Sequence, residues 1–321
     1  MTRYETGPCP ACNSAAHTVI ADADAIRDEV EQLWEFHTRR LRGDTPTQRL
    51  HDRIAFSQDP PLRIVRCDAC GLIHRNPRER PDELEDIYSE EETDHATLEA
   101  LFRNQAESYR TQARRLTRVT DRTGSGLEVG SYVGAFLAAA EDEGWSFRGV
   151  DVNPAASAFA RERGFTIREG TIEDCDPDES YDVVAFWNCF DQLPDPRAAA
   201  AAARLRMARG GWLAIRVPNG AFYARWRARL HSPTRRLART LLAHSNLLAF
   251  PYRHGFAPDS LRSLLHESGF RVEHTFGDAL VPVGDRWTRP WARTEEHAVK
   301  AVLRSLPAPR APWFEVYARA V

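Results

Sequence analysis

A doubly wound α/β fold with a small cysteine-bearing domain ahead of it is what this chain predicts. Three observations carry that expectation. Residues 126–151 read as a strand, a glycine turn, an Ala-rich helix and a second strand ending in an acid. Tyr181-Asp182-Val183-Val184-Ala185-Phe186-Trp187 is a continuous apolar run of the kind found in a parallel strand buried on both faces. Near the amino terminus, Cys9-Pro10-Ala11-Cys12 and Cys67-Asp68-Ala69-Cys70-Gly71 bracket a long spacer. With 321 residues, 42% of them hydrophobic, the chain can bury a full sheet core and a smaller second domain.

The first strand ends with Leu127 and Val129 in the core and turns at Gly130. Gly134 then opens a helix whose first amides are suited to an anion or carboxylate. Phe147-Arg148-Gly149-Val150 forms the second strand, and Asp151 closes it. An acid there can accept hydrogen bonds from both hydroxyls of an adenosine ribose. A dinucleotide fingerprint requires Gly-x-Gly-x-x-Gly, and Gly130-Ser131-Tyr132-Val133-Gly134 does not meet it.

Downstream, Arg168-Glu169-Gly170-Thr171-Ile172-Glu173-Asp174 ends a third strand. The fourth, 181–187, runs into Asn188-Cys189-Phe190-Asp191-Gln192-Leu193-Pro194-Asp195-Pro196. A helix over 197–208 leads to a Gly210-Gly211 turn, a fifth strand and Pro218-Asn219. Glu128-x-Gly130-x-x-x-Gly134 followed by Asp151 resembles motif I and the motif II acid of class I S-adenosylmethionine-dependent methyltransferases, and the later segments follow in that family's order.

The resemblance implies a Rossmann-like seven-stranded methyltransferase sheet and S-adenosylmethionine as cofactor. It implies cofactor contacts from Glu128, Gly130, Ser131, Tyr132, Gly134, Asp151, Val152, Ile172, Glu173 and Asn188, with the 168–174 loop flanking the adenine. Two positions depart from the family pattern. Tyr132 stands where a middle glycine is common, and Asp191-Gln192 replaces the usual acid-histidine pair.

Two Cys-x-x-Cys pairs suit tetrahedral zinc, each presenting two thiolates to one ion, with Gly71 supplying backbone freedom for the turn. Cys9, Cys12, Cys67 and Cys70 would leave no open coordination position, which predicts a structural ion rather than a catalytic one. Disulfides are the alternative. They are disfavoured because the chain begins Met-Thr-Arg-Tyr without an apolar signal segment, which predicts a reducing cytoplasm. Cys175 and Cys189 read as core or loop thiols.

Between the pairs, Ile26, Val30, Leu33, Trp34, His37 and Leu41 recur at helical spacing, and a second short helix is expected over 46–56. Asn76-Pro77-Arg78 and the segment 81–88 resemble bacterial small-molecule methyltransferases with an amino-terminal zinc-binding domain. The expected division is therefore 1–90 for the zinc domain and 91–321 for the methyltransferase domain.

Beyond Asn219, amphipathic helices over 221–250 form an insertion after the fifth strand, which in the family commonly makes a lid. A helix over 260–268, a sixth strand over 270–276 and a seventh over 313–321 complete the sheet, with a second insertion over 279–311 carrying Trp287 and Trp291 as packing or substrate-wall aromatics. The helical lid insertions thus span about 221–255 and 279–311.

Methyl transfer asks the protein to align nucleophile and methyl group, and to remove a proton where the nucleophile carries one. His254, Tyr252, Asp191 and Tyr223 are the candidate bases, His254 first because an imidazole titrates near neutrality; a packing or capping role competes for it. Amine-directed enzymes of the Asn-Pro-Pro-Tyr type hold a planar nitrogen after the fourth strand, and Asn188-Cys189-Phe190-Asp191 stands there instead. That favours O- or C-methylation of a small metabolite, sugar or natural-product intermediate over N-methylation.

The formal charge is −3, and Lys300 is the only lysine. Arginines cluster at Arg110, Arg114, Arg115, Arg118 and Arg122 on one helix, and at Arg225, Arg227, Arg229, Arg235, Arg236 and Arg239 on another. They form either solvated faces or a surface for an anionic substrate. An RNA methyltransferase gripping nucleic acid through the zinc domain is the alternative function, disfavoured by the acidic balance. A cofactor-binding scaffold without activity is the third. No membrane span is expected, and oligomeric state has no visible signature.

Overall fold

The computed structural model describes residues 3–47, 60–81, 94–176, 178–282 and 286–321. The expected helix over 46–56, the segment 82–88 and the domain boundary near 90 lie outside the described residues. The chain forms two compact units: one contains Met1–Glu79, Pro218–Ser260 and Phe276–Phe314, the other Arg80–Val217, Leu261–Thr275 and Glu315–Val321.

The first unit contains strands β1 (Tyr4–Glu5), β2 (His17–Ala21), β3 (Ile64–Cys67), β4 (Ile73–Arg75) and β5 (Arg78–Glu79) and helix α1 (Ala23–Arg40). β1 pairs with β5, and β2, β3 and β4 form antiparallel neighbours. α1 starts where Asp22 accepts a hydrogen bond from the Ala25 amide at 3.0 Å. Ile26, Glu29, Leu33, Phe36 and Arg40 make its buried stripe, the helical period expected of an amphipathic helix. The capping bond satisfies a first-turn amide that has no carbonyl partner within the helix. Replacing Asp22 with alanine is expected to lower stability by about 1 kcal/mol, read as a lower urea midpoint at unchanged slope.

The second unit carries helix α2 (His95–Thr120) and then the alternation β6 (Ser125–Val129), α3 (Ala135–Glu141), β7 (Ser146–Asp151), α4 (Pro154–Glu162), β8 (Ile167–Glu169), β9 (Tyr181–Trp187), α5 (Pro196–Leu205) and β10 (Met207–Pro218). Helices α6 (Gly220–Arg227) and α7 (Arg235–His244) follow, then β11 (His254–Gly255), α8 (Pro258–Glu267), β12 (Phe270–Asp278), α9 (Pro290–Arg304) and β13 (Trp313–Ala320). The seven-stranded sheet has the order β12-β13-β10-β9-β6-β7-β8. Its β10-β9-β6-β7-β8 stretch is parallel.

From β6 the chain winds outward through β7 and β8, then returns across β6 to lay down β9 and β10. The reversal makes a crevice outside the carboxyl ends of β6 and β9, the place where open α/β sheets bind ligands. Val183, Val184, Ala185 and Phe186 are fully buried, as a central parallel strand requires.

Several boundaries move from their expected places. The helix expected over 197–208 stops at Leu205, and Gly210-Gly211 is not a turn before the fifth strand. It lies inside β10 as a break in register between Met207 and Trp212, where glycine tolerates the extra residues of a bulge. The second arginine cluster does not occupy one helix: α6 ends at Arg227, α7 begins at Arg235, and Arg229 lies between them.

The segment 218–260 groups with the first 79 residues. β11 pairs antiparallel with β4, extending the cysteine-bearing sheet to the order β11-β4-β3-β2. Leu33 and Phe36 of α1 share a core with Phe222, Tyr223, Leu242 and Trp313. Glu79 is wholly buried and takes Arg75 at 2.8 Å and Arg253 at 3.4 Å, which ties β5, β4 and the approach to β11 together. No helix among the described residues is long and apolar enough to cross a membrane.

Candidate functional site

The crevice is built by three loops. After β6, Gly130 has φ +73°, and a Cβ there would meet Cys189 Cβ at 2.8 Å. Gly134 has φ +74° and caps α3, with Phe165 at 2.9 Å from any added Cβ. Both positions combine a left-handed backbone with close packing, which only glycine accommodates. Tyr132, at φ 44°, takes the same left-handed region with a side chain.

Asp151 fastens this loop to the end of β7. Its Oδ2 accepts from the Tyr132 amide at 2.7 Å, and its Oδ1 from the Asn153 amide at 2.9 Å. Each oxygen keeps further acceptor capacity. Burial raises the carboxyl's pKa, and the two amides pull it back down. Gly170 N donates to Asp151 O at 2.9 Å, bringing the turn after β8 beside it. In that turn Ile172 is buried and Glu173 is exposed. Arg206 clamps the turn by donating to Glu173 O and Cys175 O at 2.9 and 3.1 Å.

Glu128, on β6, is almost wholly buried, and its Oε2 has no hydrogen-bond partner. Burial, then the charge of Asp151, holds this carboxyl well above the usual carboxylate range. Ser131 Oγ is buried in the same condition. Orphaned polar atoms of this kind are rare in proteins and cost free energy unless a ligand satisfies them.

The third loop follows β9. Asn188 has φ 63°, donates from Nδ2 to the Tyr109 hydroxyl at 3.0 Å and accepts at Oδ1 from Arg216. Cys189 donates to Val129 O at 2.9 Å, locking this loop to the end of β6. Asp191 is fully buried; its Oδ2 accepts from the Gln192 amide at 2.6 Å while Oδ1 has no partner. Burial pushes its carboxyl up to about 7.

The four candidate bases thus fall in different surroundings. Asp191 belongs to the second unit with Glu128, Asp151 and Asn188; Tyr223, Tyr252 and His254 belong to the first. Tyr223 is buried and donates to Glu29 Oε2 at 3.3 Å, and Arg227 holds the other oxygen at 2.8 Å. Tyr252 accepts from Asn246 at 2.9 Å. His254 is fully buried on β11, directly opposite His74.

Tyr109 and Arg216 were not among the expected site residues. Each reaches the site through the fold, across 79 positions of chain for Tyr109 and 28 for Arg216. Most of the first arginine cluster is engaged with acids. Arg110 pairs with Glu107, Arg114 with Glu143, Arg115 with the buried Glu315, and Arg122 with Asp182.

The four cysteines of the first unit converge. Their Sγ atoms all lie within 4.8 Å of one another, Cys9 to Cys70 at 3.6 Å and Cys12 to Cys67 at 3.5 Å. A disulfide would bring two sulfurs to about 2.05 Å. Tetrahedral thiolates around zinc, with bonds of about 2.3 Å, stand about 3.8 Å apart. Each pair forms a knuckle: Asn13 N donates to Cys9 O at 2.9 Å, and Gly71 N to Cys67 O at 3.0 Å. The contact between Cys9 and Cys70 lowers the pKa of the Cys70 thiol and raises that of Cys9.

Residues 101–275 match the family described as a methyltransferase domain. The chain belongs to the methyltransferase family. No curated protein sequence matches it. Among solved structures, it is similar to an S-adenosylmethionine-dependent methyltransferase from Archaeoglobus fulgidus at 20% identity, over 70% of this chain and 100% of that one, with a TM-score of 0.46. A possible histamine N-methyltransferase from Thermotoga maritima is 18% identical over 68% of this chain and 91% of its own, with a TM-score of 0.45. The glycopeptide N-methyltransferase MtfA with sinefungin is 16% identical over 65% and 85%, with a TM-score of 0.43. This chain is an enzyme of the methyltransferase class.

Proposed function

We propose that the enzyme methylates an oxygen or carbon of a small metabolite, sugar or natural-product intermediate. The observation that carries this reading is Asp191, a buried carboxylate with one unpartnered oxygen in the loop after β9. An acceptor that must lose a proton to become a nucleophile needs such a group, and a base with a pKa near 7 is well matched to neutral pH. Asp191 is preferred to His254, Tyr252 and Tyr223 because it shares a unit and a polar cluster with the cofactor residues.

S-adenosylmethionine, when bound, supplies a methyl group on a sulfonium centre. The protein's part is to hold both partners in line and keep water out. Glu128, Gly130, Ser131, Tyr132 and Gly134 would line the turn, Asp151 and Val152 the ribose edge, Ile172 and Glu173 the adenine edge, and Asn188 the methyl end. Orphaned Glu128 Oε2 and Ser131 Oγ fit a bound polar ligand.

The insertions at 221–255 and 279–311 are read as the elements that select the substrate. The α2 arginines support this small-molecule reading over an RNA-directed one, because most already hold acids. Zinc on Cys9, Cys12, Cys67 and Cys70 is read as structural, since four thiolates exhaust a tetrahedral ion.

Incubation with methyl-labelled S-adenosylmethionine and fractionated host extract tests the reading. Label is expected in the metabolite or glycan pool; label confined to RNA or protein would overturn it. Asp151→Ala is expected to weaken S-adenosylmethionine binding at least tenfold by calorimetry, because a charge-assisted acceptor worth about 1.5–3 kcal/mol is lost. The loop anchor at the Tyr132 amide goes with it. Unchanged affinity would contradict the cofactor assignment.

A further inference from the structure

Two buried side chains of the cysteine-bearing sheet carry atoms whose hydrogen-bonding character is fixed by their neighbours. His74 Nδ1 lies 3.0 Å from Arg75 O. A carbonyl oxygen only accepts, so Nδ1 carries the ring proton. Burial, reinforced by the charges of Arg78 and Arg253, pushes the imidazole down to about 4 against the pull of that carbonyl, so the ring is neutral near pH 7. Nε2 is then a bare lone pair. Asn76 is fixed in the same way: its Nδ2 donates to Gly7 O at 3.2 Å, which leaves Oδ1 as an acceptor.

Neither His74 Nε2 nor Asn76 Oδ1 has a hydrogen-bond partner among the described residues, and both residues are 1% exposed. The pairing with the β3 side continues past β4, with Asn76 N donating to Arg63 O at 3.1 Å. Positions 74 and 76 therefore face the same way from the sheet. His254, directly opposite His74 on β11, shares that face. Two orphaned acceptors on one face call for a ligand that donates more than once. The charges of Arg78 and Arg253 at His74 disfavour an ammonium or guanidinium ligand. That leaves neutral donors, and a polyhydroxylated molecule supplies several of them at close spacing.

We propose that His74 and Asn76 form a binding site for a neutral polyhydroxylated ligand, whose hydroxyls donate to Nε2 and Oδ1. The site lies wholly in the first unit and does not depend on which atom the enzyme methylates.

The test uses the full-length protein labelled with ¹⁵N at histidine. The probes are methyl α-glucoside, methyl α-mannoside and methyl α-galactoside, each beside its per-O-methylated counterpart, which has no hydroxyl to donate, with glucosamine as the cationic comparison. At least one hydroxylated glycoside is expected to move the His74 Nε2 resonance toward its hydrogen-bonded position, and no per-O-methylated one should. His74→Phe is expected to weaken that glycoside about fivefold or more by calorimetry, while His74→Gln, which offers a carbonyl acceptor, should retain most of the affinity. S-adenosylmethionine binding should be unchanged in both variants.

A resonance that none of the three glycosides moves would overturn the proposal, and one already in its hydrogen-bonded position without ligand would assign the place to a trapped water instead. Equal binding of a per-O-methylated counterpart, or tighter binding of glucosamine than of the neutral glycosides, would overturn the class of ligand. Should His74→Phe fail to fold, the wild-type resonance and His74→Gln still decide the matter.

Discussion

Replacing Asp191 with asparagine is expected to lower kcat by about 10²–10⁴, the usual contribution of a positioned general base, while S-adenosylmethionine affinity changes little. Asparagine keeps the shape and the Gln192 contact but cannot take a proton. The pH profile separates this from a structural effect. Asp191 is neutral below about 7 and ionised above it, so wild-type kcat should rise with pH through that value and level off, whereas the variant should lose that rise.

The sign follows from burial. Desolvation favours the neutral acid, and only partly opposing it are a hydrogen bond from the backbone of Asp191 itself, the hydrogen bond from Gln192 and the charge of Arg216. A variant with full activity would remove Asp191 from the mechanism and leave alignment alone to account for the chemistry.

Cys67→Ser is expected to have the largest structural effect. The wild-type protein, purified without chelator, should carry one tightly held zinc per chain by metal analysis, and the variant should carry none. Structural zinc sites contribute apparent binding energies of about 10–16 kcal/mol, comparable with the whole stability of a domain at about 5–15 kcal/mol. The cooperative unfolding of the first unit should therefore be lost along with the metal.

One cysteine knuckle lies at the end of β3 and the other between β1 and β2, and the sheet of β3 also carries β2, β4 and β11. Loss of the ion is expected to reach residues 218–260 as well. Wild-type protein without zinc would overturn this assignment.

Local chemistry wrote much of the architecture into the sequence. Gly130 and Gly134 are legible because a left-handed backbone selects glycine at short range, and Asp151 because a βαβ unit fixes its distance from that turn. The buried run 181–187 and the Cys-x-x-Cys pairs are legible for the same reason: period, turn and ligand spacing are properties of a few consecutive residues.

Where the sequence reading moved, the cause was tertiary. Gly210-Gly211 looks like a turn in one dimension, yet it lies inside β10 as a bulge, where the register against β9 shifts between Met207 and Trp212. The arginines of 225–239 look like one helix, yet the chain turns between Arg227 and Arg235.

The sequence by itself determined the α/β class, the glycine turn with its acid, and the four convergent cysteines. Only the tertiary structure decided that 218–260 shares a unit and a core with the first 79 residues, and that His254 lies in a sheet with the cysteine strands. It alone brought Tyr109 and Arg216 to Asn188 and buried Asp191 and Glu128 with unpartnered oxygens. The reason is physical: a backbone conformation answers to its neighbours in sequence, whereas desolvation and hydrogen-bond pairing answer to whatever the fold brings near.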